Sequence, residues 1–274
     1  MDVIGAHASR LPVLDERWDP RPYPREELAR ALMAGGVAGP AGHPHHNVFG
    51  NIRMLVEHDP DKLFGLSNMP EPFRFEDIVR IVGEASGVPI DALATEGSPD
   101  IDAGAVLDAC EAMGERLAEA ARRRERVLFA TGHPGDLDPL YVSIAELAAA
   151  RGARIVRPAE GVSWSDVRAG HDWTIAYHGA VGMVTDGTRP RHTHRPEAMQ
   201  RMLEEDRPDL VVADHGFAGA AIEAGVETLS IADVNDPALI VAKAQGRTEV
   251  VVVLDDHVPP EAYWPCLQAI AGSL

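Results

Sequence analysis

Residues 210–233 read LVVADHGFAGAAIEAGVETLSIAD and carry the clearest architectural signal in this chain. The apolar runs Leu210–Val212 and Leu229–Ile231 have the length and composition of buried strands, and Ala218–Ala224 between them predicts a helix. A strand, a crossover helix and a second strand in this order form a parallel pair with a right-handed crossover. The segment therefore predicts an α/β fold.

The same alternation extends over the second half of the chain. Further strands are predicted at Val127–Ala130, Arg154–Val156 and Val250–Leu254, and the runs Trp173–Tyr177 and Ala180–Val184 are consistent with a hairpin. Helices are predicted between them at Leu140–Ala150, Pro196–Glu204 and Pro237–Ala244. We expect a mostly parallel, Rossmann-like sheet flanked by helices.

Residues 1–124 show a helical rather than a strand-like pattern. Helices are predicted from Pro24 to Gly35, over Val48–Val56, around Ile78–Val82 and over Asp102–Arg124. The change of pattern near residue 125 predicts two units. These are a helical N-terminal or cap region, residues 1–124, and an α/β core, residues 125–274, that carries the active-site edge.

The charge balance excludes some classes of partner. The chain of 274 residues has 25 Lys and Arg against 43 Asp and Glu, a net charge of −18. Nucleic acids and anionic membrane surfaces bind clustered Lys and Arg, so we expect neither as a partner. No apolar run approaches the ~18 residues that a membrane span requires.

The cysteine content indicates the cellular environment. Only Cys110 and Cys266 are present, so the chain cannot build a disulfide scaffold or a cysteine-rich zinc site. The stretch Met1–Pro24 carries Asp2, Asp15, Glu16 and Asp19 and lacks the apolar segment of a secretory signal. We therefore expect a cytoplasmic protein, and a homodimer is one oligomeric state that the sequence allows.

Acidic or imidazole side chains follow five of the predicted strands. The carboxyl ends of parallel strands lie at one edge of a sheet, and ligands bind beyond that edge. The residues after each strand therefore predict the lining of a single crevice. The five segments are Thr131–Gly135, Thr185–Gly187, Asp214–Gly216, Asp233–Asp236 and Asp255–His257.

The segment Thr131–Gly135 allows two interpretations. In one, Gly132 and Gly135 let backbone amides approach an anion, while His133 donates a hydrogen bond or a proton to it. In the other, the segment is only a tight turn between a strand and a helix. No Walker A or dinucleotide-binding pattern is present to decide between them.

His192 and His194 are two residues apart, which places both imidazoles on one face of an extended segment. Two imidazoles on one face suit a divalent metal ion, or one can bind metal while the other handles a proton. The nearby Arg191 offers a guanidinium for phosphate oxygens. A solvated polar loop is the alternative interpretation.

The acidic segments predict a site for a hard cation. The oxygens of Asp214, Asp233 and Asn235 suit Mg²⁺ or Mn²⁺, and an added imidazole favours Mn²⁺ or another transition ion. Asp236 has a structural alternative as the N-cap of a helix that begins at Pro237. The loop with His43, His45 and His46 is expected on the surface, unless the helical region closes over the crevice.

Several of these blocks occur in the order found in one protein family. The blocks GHPG (132–135), HTH (192–194), ADHG (213–216) and NDPA (235–238) resemble those of a family of small bacterial proteins, frequent in actinobacteria, that is named simply phosphatase. The resemblance covers about residues 125–260. It implies hydrolysis of a phosphomonoester of a small metabolite.

The sequence thus predicts a metal-dependent phosphatase acting on a sugar or nucleoside phosphate. Asp214, Asp233 and Asn235 would hold Mg²⁺ or Mn²⁺, with Asp186 or His215 completing the ligand set. The candidate catalytic residues are His133, His194 and His215, and the candidate phosphate-binding residues are Gly132, Gly135, Arg191 and His192.

Two other functions fit the same residues. One is a different metal-dependent hydrolase or lyase, and the other is a protein that binds phosphorylated metabolites without turnover. Release of inorganic phosphate from a panel of sugar and nucleoside phosphates would distinguish the phosphatase from the other hydrolase or lyase. The binding protein is expected if the carboxylates at the strand ends do not converge.

Overall fold

The computed structural model describes residues 23–67, 74–166 and 170–274. Residues 1–22, which hold most of the stretch considered for a secretory signal, lie outside the described residues. Among the described residues, no helix combines the length and the apolar character needed to cross a bilayer.

The N-terminal half is mainly helical, as predicted. Its elements are α1 (Arg25–Ala34), β1 (Gly39–Pro40), α2 (His45–Val56), α3 (Pro60–Leu63), α4 (Phe75–Ser86), β2 (Asp100–Ile101) and α5 (Ala103–Arg123). The side chain of Asp102 caps α5 by accepting from the Ala105 N–H, and two arginines lie in its last turn. The two short strands β1 and β2 pair with each other in antiparallel fashion.

The second half alternates strands and helices. Its elements are β3 (Arg126–Ala130), α6 (Asp138–Arg151), β4 (Arg154–Ile155), β5 (Ser163–Asp166), β6 (His171–His178), β7 (Val181–Thr185), α7 (Glu197–Glu205), β8 (Leu210–Ala213), α8 (His215–Glu223), β9 (Glu227–Ala232), α9 (Pro237–Ala244), β10 (Val250–Val253) and α10 (Trp264–Ser273). A 3-10 turn, Pro260–Tyr263, precedes α10.

Most of the sheet is parallel, which confirms the predicted fold class. The strand order is β10-β9-β8-β3-β7-β6-β5, with β4 beside the start of β3. Neighbours from β10 to β7 run parallel, whereas β6 and β5 add an antiparallel edge. The predicted hairpin is present as β6 and β7. The finer description as Rossmann-like stays a prediction.

The register brings the ends of the parallel strands to one edge. Ala130 pairs with Ala213, and Ala232 pairs with Val253. The segments that follow these four residues therefore begin at neighbouring positions, as the order of strands and helices predicts.

One hydrophobic core joins the two predicted units. Helix α5 packs against α10 and β10, and α1 packs against α5 and α10. Gly114 of α5 makes this close approach possible, because a Cβ there would lie 2.3 Å from the Ile270 carbonyl oxygen. The predicted boundary near residue 124 falls between α5 and β3, and the independence of the two units stays a prediction.

Candidate functional site

Asp214 follows β8 at the strand edge and accepts hydrogen bonds at both of its carboxylate oxygens. Its Oδ2 accepts from Thr131 Oγ1 at 2.6 Å, and its Oδ1 accepts from the Gly132 N–H at 2.6 Å and lies 3.0 Å from His215 Nδ1. Burial raises the pKa of this carboxyl, but His215 outweighs burial and leaves the pKa below its usual value. These contacts place the Asp214 carboxylate against Nδ1 of His215, and the expectation that Asp214 binds a metal ion stays a prediction.

His215 is the first residue of α8 and has a left-handed backbone, with φ 43°. Its Nε2 lies 3.3 Å from Asp236 Oδ2 and 3.8 Å from Asp256 Oδ2. Burial lowers the pKa of this imidazole, but Asp214 and Asp236 outweigh burial and hold the pKa well above its usual value. His215 Nε2 is therefore the point at which the carboxylates of two strand ends meet.

Two glycines allow α8 to begin at this position. A Cβ on Gly216 would lie 2.2 Å from the His194 carbonyl oxygen, and a Cβ on Gly219 would lie 2.0 Å from the Phe64 carbonyl oxygen. The sequence His-Gly-Phe-Ala-Gly thus serves the close packing of backbone around His215.

His133 is held between two carboxylates. Its Nε2 lies 3.0 Å from Asp136 Oδ2, and its Nδ1 lies 3.2 Å from Asp256 Oδ2 without hydrogen-bond geometry. Burial lowers the pKa of the His133 imidazole, but Asp256 outweighs burial and raises the pKa overall. His133 can therefore carry a proton at the edge of the site.

His192 and His194 lie next to each other and next to His215. The ring centroids of His194 and His215 lie 5.0 Å apart with the rings nearly parallel, and His192 is 5.0 Å from each. Partial loss of water, followed by the charges of neighbouring imidazoles, lowers the pKa of His192 to about 4. Burial and then His215 also lower the pKa of His194. Both rings are neutral at neutral pH, the form that binds metal ions.

Asp233 and Asn235 form the side of the site towards α2. Asp233 Oδ1 accepts from the Asn235 N–H at 2.6 Å, and Asn235 Oδ1 accepts from Asn51 Nδ2 at 2.7 Å. Burial, followed by the charge of Asp256, raises the pKa of Asp233 well above its usual value. His43 Nε2 lies 3.9 Å from Asp233 Oδ2, so the N-terminal histidine loop does reach the strand edge.

The structure keeps Asp186 and Arg191 engaged with each other. Arg191 Nε donates to Asp186 Oδ2 at 2.6 Å, and Asp186 Oδ1 accepts from Thr188 and Arg189. The contacts described for Asp186 all lie within residues 185–191, apart from the other expected ligands. Of the two expected phosphate-binding glycines, Gly132 donates its N–H to Asp214, and Gly135 adopts φ 117° with open space around it.

Several residues of the site had no role in the predicted set of ligands and catalytic groups, although Thr131, Asp236 and Asp256 lie in segments predicted to line the crevice. Asp236 sits at the N-cap of α9 as expected, but its carboxylate makes no cap and faces His215. The segment around α3 contributes Lys62, whose Nζ lies 3.2 Å from Asp236 Oδ1, and Asp61, whose Oδ2 lies 3.0 Å from His194 Nδ1. The remaining members are Thr131, Asp136 and Asp256. The sequence could not predict that Lys62 lies at the site, because its partner Asp236 is more than 170 residues further along the chain.

The donor atoms of these residues converge closely enough to hold a cation. Within the described residues, ligand atoms lie within 4.8 Å of one another in three sets. The sets are His192, His194 and His215; His133, His215 and Asp256; and His133, Asp136 and His257. A cavity of about 430 Å³ lies beside His194, between the α3 segment and Pro196.

Comparison with known proteins identifies the family of this chain. A family model described as Phosphatase matches residues 23–271. The chain is also 36% identical over 253 residues to Phosphatase SCO2771 of Streptomyces coelicolor, covering 89% of this chain and 94% of that relative. Both matches include the helical N-terminal half, which the sequence blocks did not cover, and they confirm the expected enzyme class, a phosphatase. The chain therefore belongs to the Phosphatase family.

Proposed function

We propose that this protein hydrolyses phosphomonoesters of small metabolites, such as sugar or nucleoside phosphates, with a bound divalent cation. The observation that carries the proposal is the convergence of His192, His194 and His215 beside a group of buried carboxylates. The carboxylates of Asp236 and Asp256 repel a phosphate dianion unless a cation lies between them and the phosphate.

The donor set fits a divalent ion. His192 and His194 are neutral at neutral pH. His215 has its Nδ1 bound to Asp214 and offers Nε2, but its pKa is raised without the ion, so Nε2 must release its proton for a cation to bind. Since imidazoles are prominent in this set, they favour Mn²⁺ or another transition ion over Mg²⁺. When bound, such an ion acts as a Lewis acid and lowers the pKa of the attacking water.

Side chains of the protein would position the ligands and supply the proton. Asp214 fixes the ring of His215 through Nδ1, and Thr131 and Gly132 fix Asp214 in turn. His133, oriented by Asp136 through Nε2, carries the proton that the leaving alkoxide needs. Asp214 is thus proposed as a positioning residue, in place of the metal ligand expected from the sequence.

The size and lining of the cavity beside His194 are consistent with a small substrate. Its walls include the apolar residues Leu63, Leu66 and Pro196, and Asp61 lies at its junction with His194. About 430 Å³ is within the range of sites for small ligands and accommodates a sugar or a nucleoside. We assign the alcohol part of the substrate to this cavity.

The proposal is tested by removing and restoring the ion. Phosphate release from a panel of sugar, nucleoside and aryl phosphates is measured after chelation and after addition of Mn²⁺, Mg²⁺ or Zn²⁺. Chelated protein should be inactive, and Mn²⁺ should restore more activity than Mg²⁺. The double variant His192→Ala/His194→Ala should lose bound metal by elemental analysis, whereas His46→Ala, which removes an exposed imidazole, should retain it. Full activity in excess chelator would contradict the proposal.

A further inference from the structure

Lysine is rare in this chain, and one of the lysines lies at the site. The chain has 25 Lys and Arg, of which only Lys62 and Lys243 are lysines. Lys243 is exposed on α9, whereas Lys62 is 7% exposed. A lysine is rarely buried unless its charge has a partner, so the placement of Lys62 calls for a reason.

The contacts of Lys62 direct its ammonium group towards the imidazole cluster. Nζ lies 3.2 Å from Asp236 Oδ1 and 3.7 Å from Asp61 Oδ2. The other oxygen of Asp236 is 3.3 Å from His215 Nε2, and Asp61 Oδ2 is 3.0 Å from His194 Nδ1. The ammonium group is therefore one carboxylate away from each of two proposed metal-binding histidines.

The segment that carries Lys62 is firmly built into the site. The Asp59 side chain caps α3 by accepting from the Asp61 N–H, and Phe64, directly after α3, has a left-handed φ of 53°. The Phe64 ring lies 5.0 Å from the ring of His194 and 5.3 Å from that of His215. This packing holds the backbone on both sides of Lys62.

We propose that Lys62 binds the phosphoryl oxygens of the substrate, an inference that rests on the proposed function. The nearby arginines are already paired, Arg191 with Asp186 and Arg195 with Asp166 and Glu197. An ammonium group has three donors, and the hydrogen bond to Asp236 uses one of them, so two can serve a ligand.

The test measures binding of inorganic phosphate to the Mn²⁺-loaded protein by calorimetry, with no turnover required. Lys62→Met keeps the length and apolar stem of the side chain but removes the charge. It should weaken phosphate binding by about 10- to 100-fold, as expected for a lost charge-assisted hydrogen bond. Lys243→Met, which removes the other lysine, should bind phosphate like the parent protein.

Three controls keep this result specific. Bound Mn²⁺ by elemental analysis and the melting temperature should be close to parental values in Lys62→Met, and Lys62→Arg should retain more phosphate affinity than Lys62→Met because it keeps the charge. Should Lys62→Met fail to fold, Lys62→Gln replaces it.

Three outcomes would overturn the proposal. They are unchanged phosphate affinity in folded Lys62→Met, an equal fall of phosphate and Mn²⁺ binding, and absence of phosphate binding by the parent protein. Phosphate binding that depends on Lys62 without phosphate release from any ester would instead contradict the proposed function alone.

Discussion

Asp214 and Asp233 follow neighbouring strands, and the sequence predicts the same task for both. The two carboxylates differ in the number of hydrogen-bond donors around them. Asp214 faces a hydroxyl, a backbone N–H and an imidazole, whereas Asp233 faces other carboxylates. Strand ends can be read from a sequence, but the partners of each carboxylate come from distant parts of the chain.

This difference predicts opposite effects on the stability of the metal-free protein at pH 7. The folded pKa of Asp214 is lowered, so its charge stabilises the fold above its unfolded pKa, and Asp214→Asn should cost about 3 kcal/mol. The folded pKa of Asp233 is raised, so its charge opposes folding at pH 7, and Asp233→Asn should melt at the parental temperature or higher. Urea unfolding of both variants checks this, and a shift of the same sign in both would contradict it.

The proton assigned to His133 predicts a dependence on the leaving group. His133→Gln should reduce turnover of a sugar phosphate by ~10²–10⁴-fold, because an alkoxide leaves only with a proton. The same variant should act almost normally on p-nitrophenyl phosphate, whose phenolate leaves unaided. Steady-state kinetics with both esters measures the difference. Equal defects with the two esters would assign His133 to phosphate binding instead.

At the level of elements, the long helices and buried strands were predictable. The second strand of the 210–233 unit runs longer than predicted, Glu227–Ala232, and α8 begins at His215, three residues before the predicted start at Ala218. The reason is tertiary: the left-handed His215 and the contacts of Gly216 with His194 and Arg195 determine where the helix begins. The short strands β1 and β2 exist only through their mutual pairing, which no local pattern predicts.

The beginning of α8 can be tested with a glycine pair. Gly216→Ala would place a Cβ 2.2 Å from the His194 carbonyl oxygen and should destabilise the protein by about 3 kcal/mol while displacing the imidazoles. Gly50→Ala, in α2 with no atom within 4 Å of the new Cβ, should stabilise by about 0.5–1 kcal/mol. Thermal unfolding measures both, and a harmless Gly216→Ala would show that α8 can shift freely.

At the scale of the whole molecule, the two predicted units share their core and their site. Helix α5 covers part of the sheet beside α10, and the α3 segment supplies Asp61 and Lys62 to the strand edge. The sequence pattern located the change from helices to alternating elements correctly. It could not reveal this packing, because hydrophobic periodicity reports which face of a helix is apolar but not what covers it.

The shared core predicts that residues 125–274 do not fold alone. Without α5, apolar side chains of β10 and α10 would be exposed to water, at roughly 25 cal/mol for each Å² uncovered. The fragment expressed by itself should show no cooperative thermal transition, and addition of Mn²⁺ should not restore one. A fragment that melts cooperatively would establish the boundary near residue 124 as a true domain boundary.

The α3 segment lies far along the chain from the strand ends that it meets, and this has a consequence for the order of events during folding. Lys62 and Asp236 are 174 residues apart, so closing this loop is entropically expensive until the sheet and its helices have formed. An unfolded chain therefore holds the donors at random distances and competes weakly for free ions. A cation bound as proposed above would therefore bind after folding and shift the equilibrium towards the native state by mass action, and the population of unfolded molecules would then depend on the supply of metal.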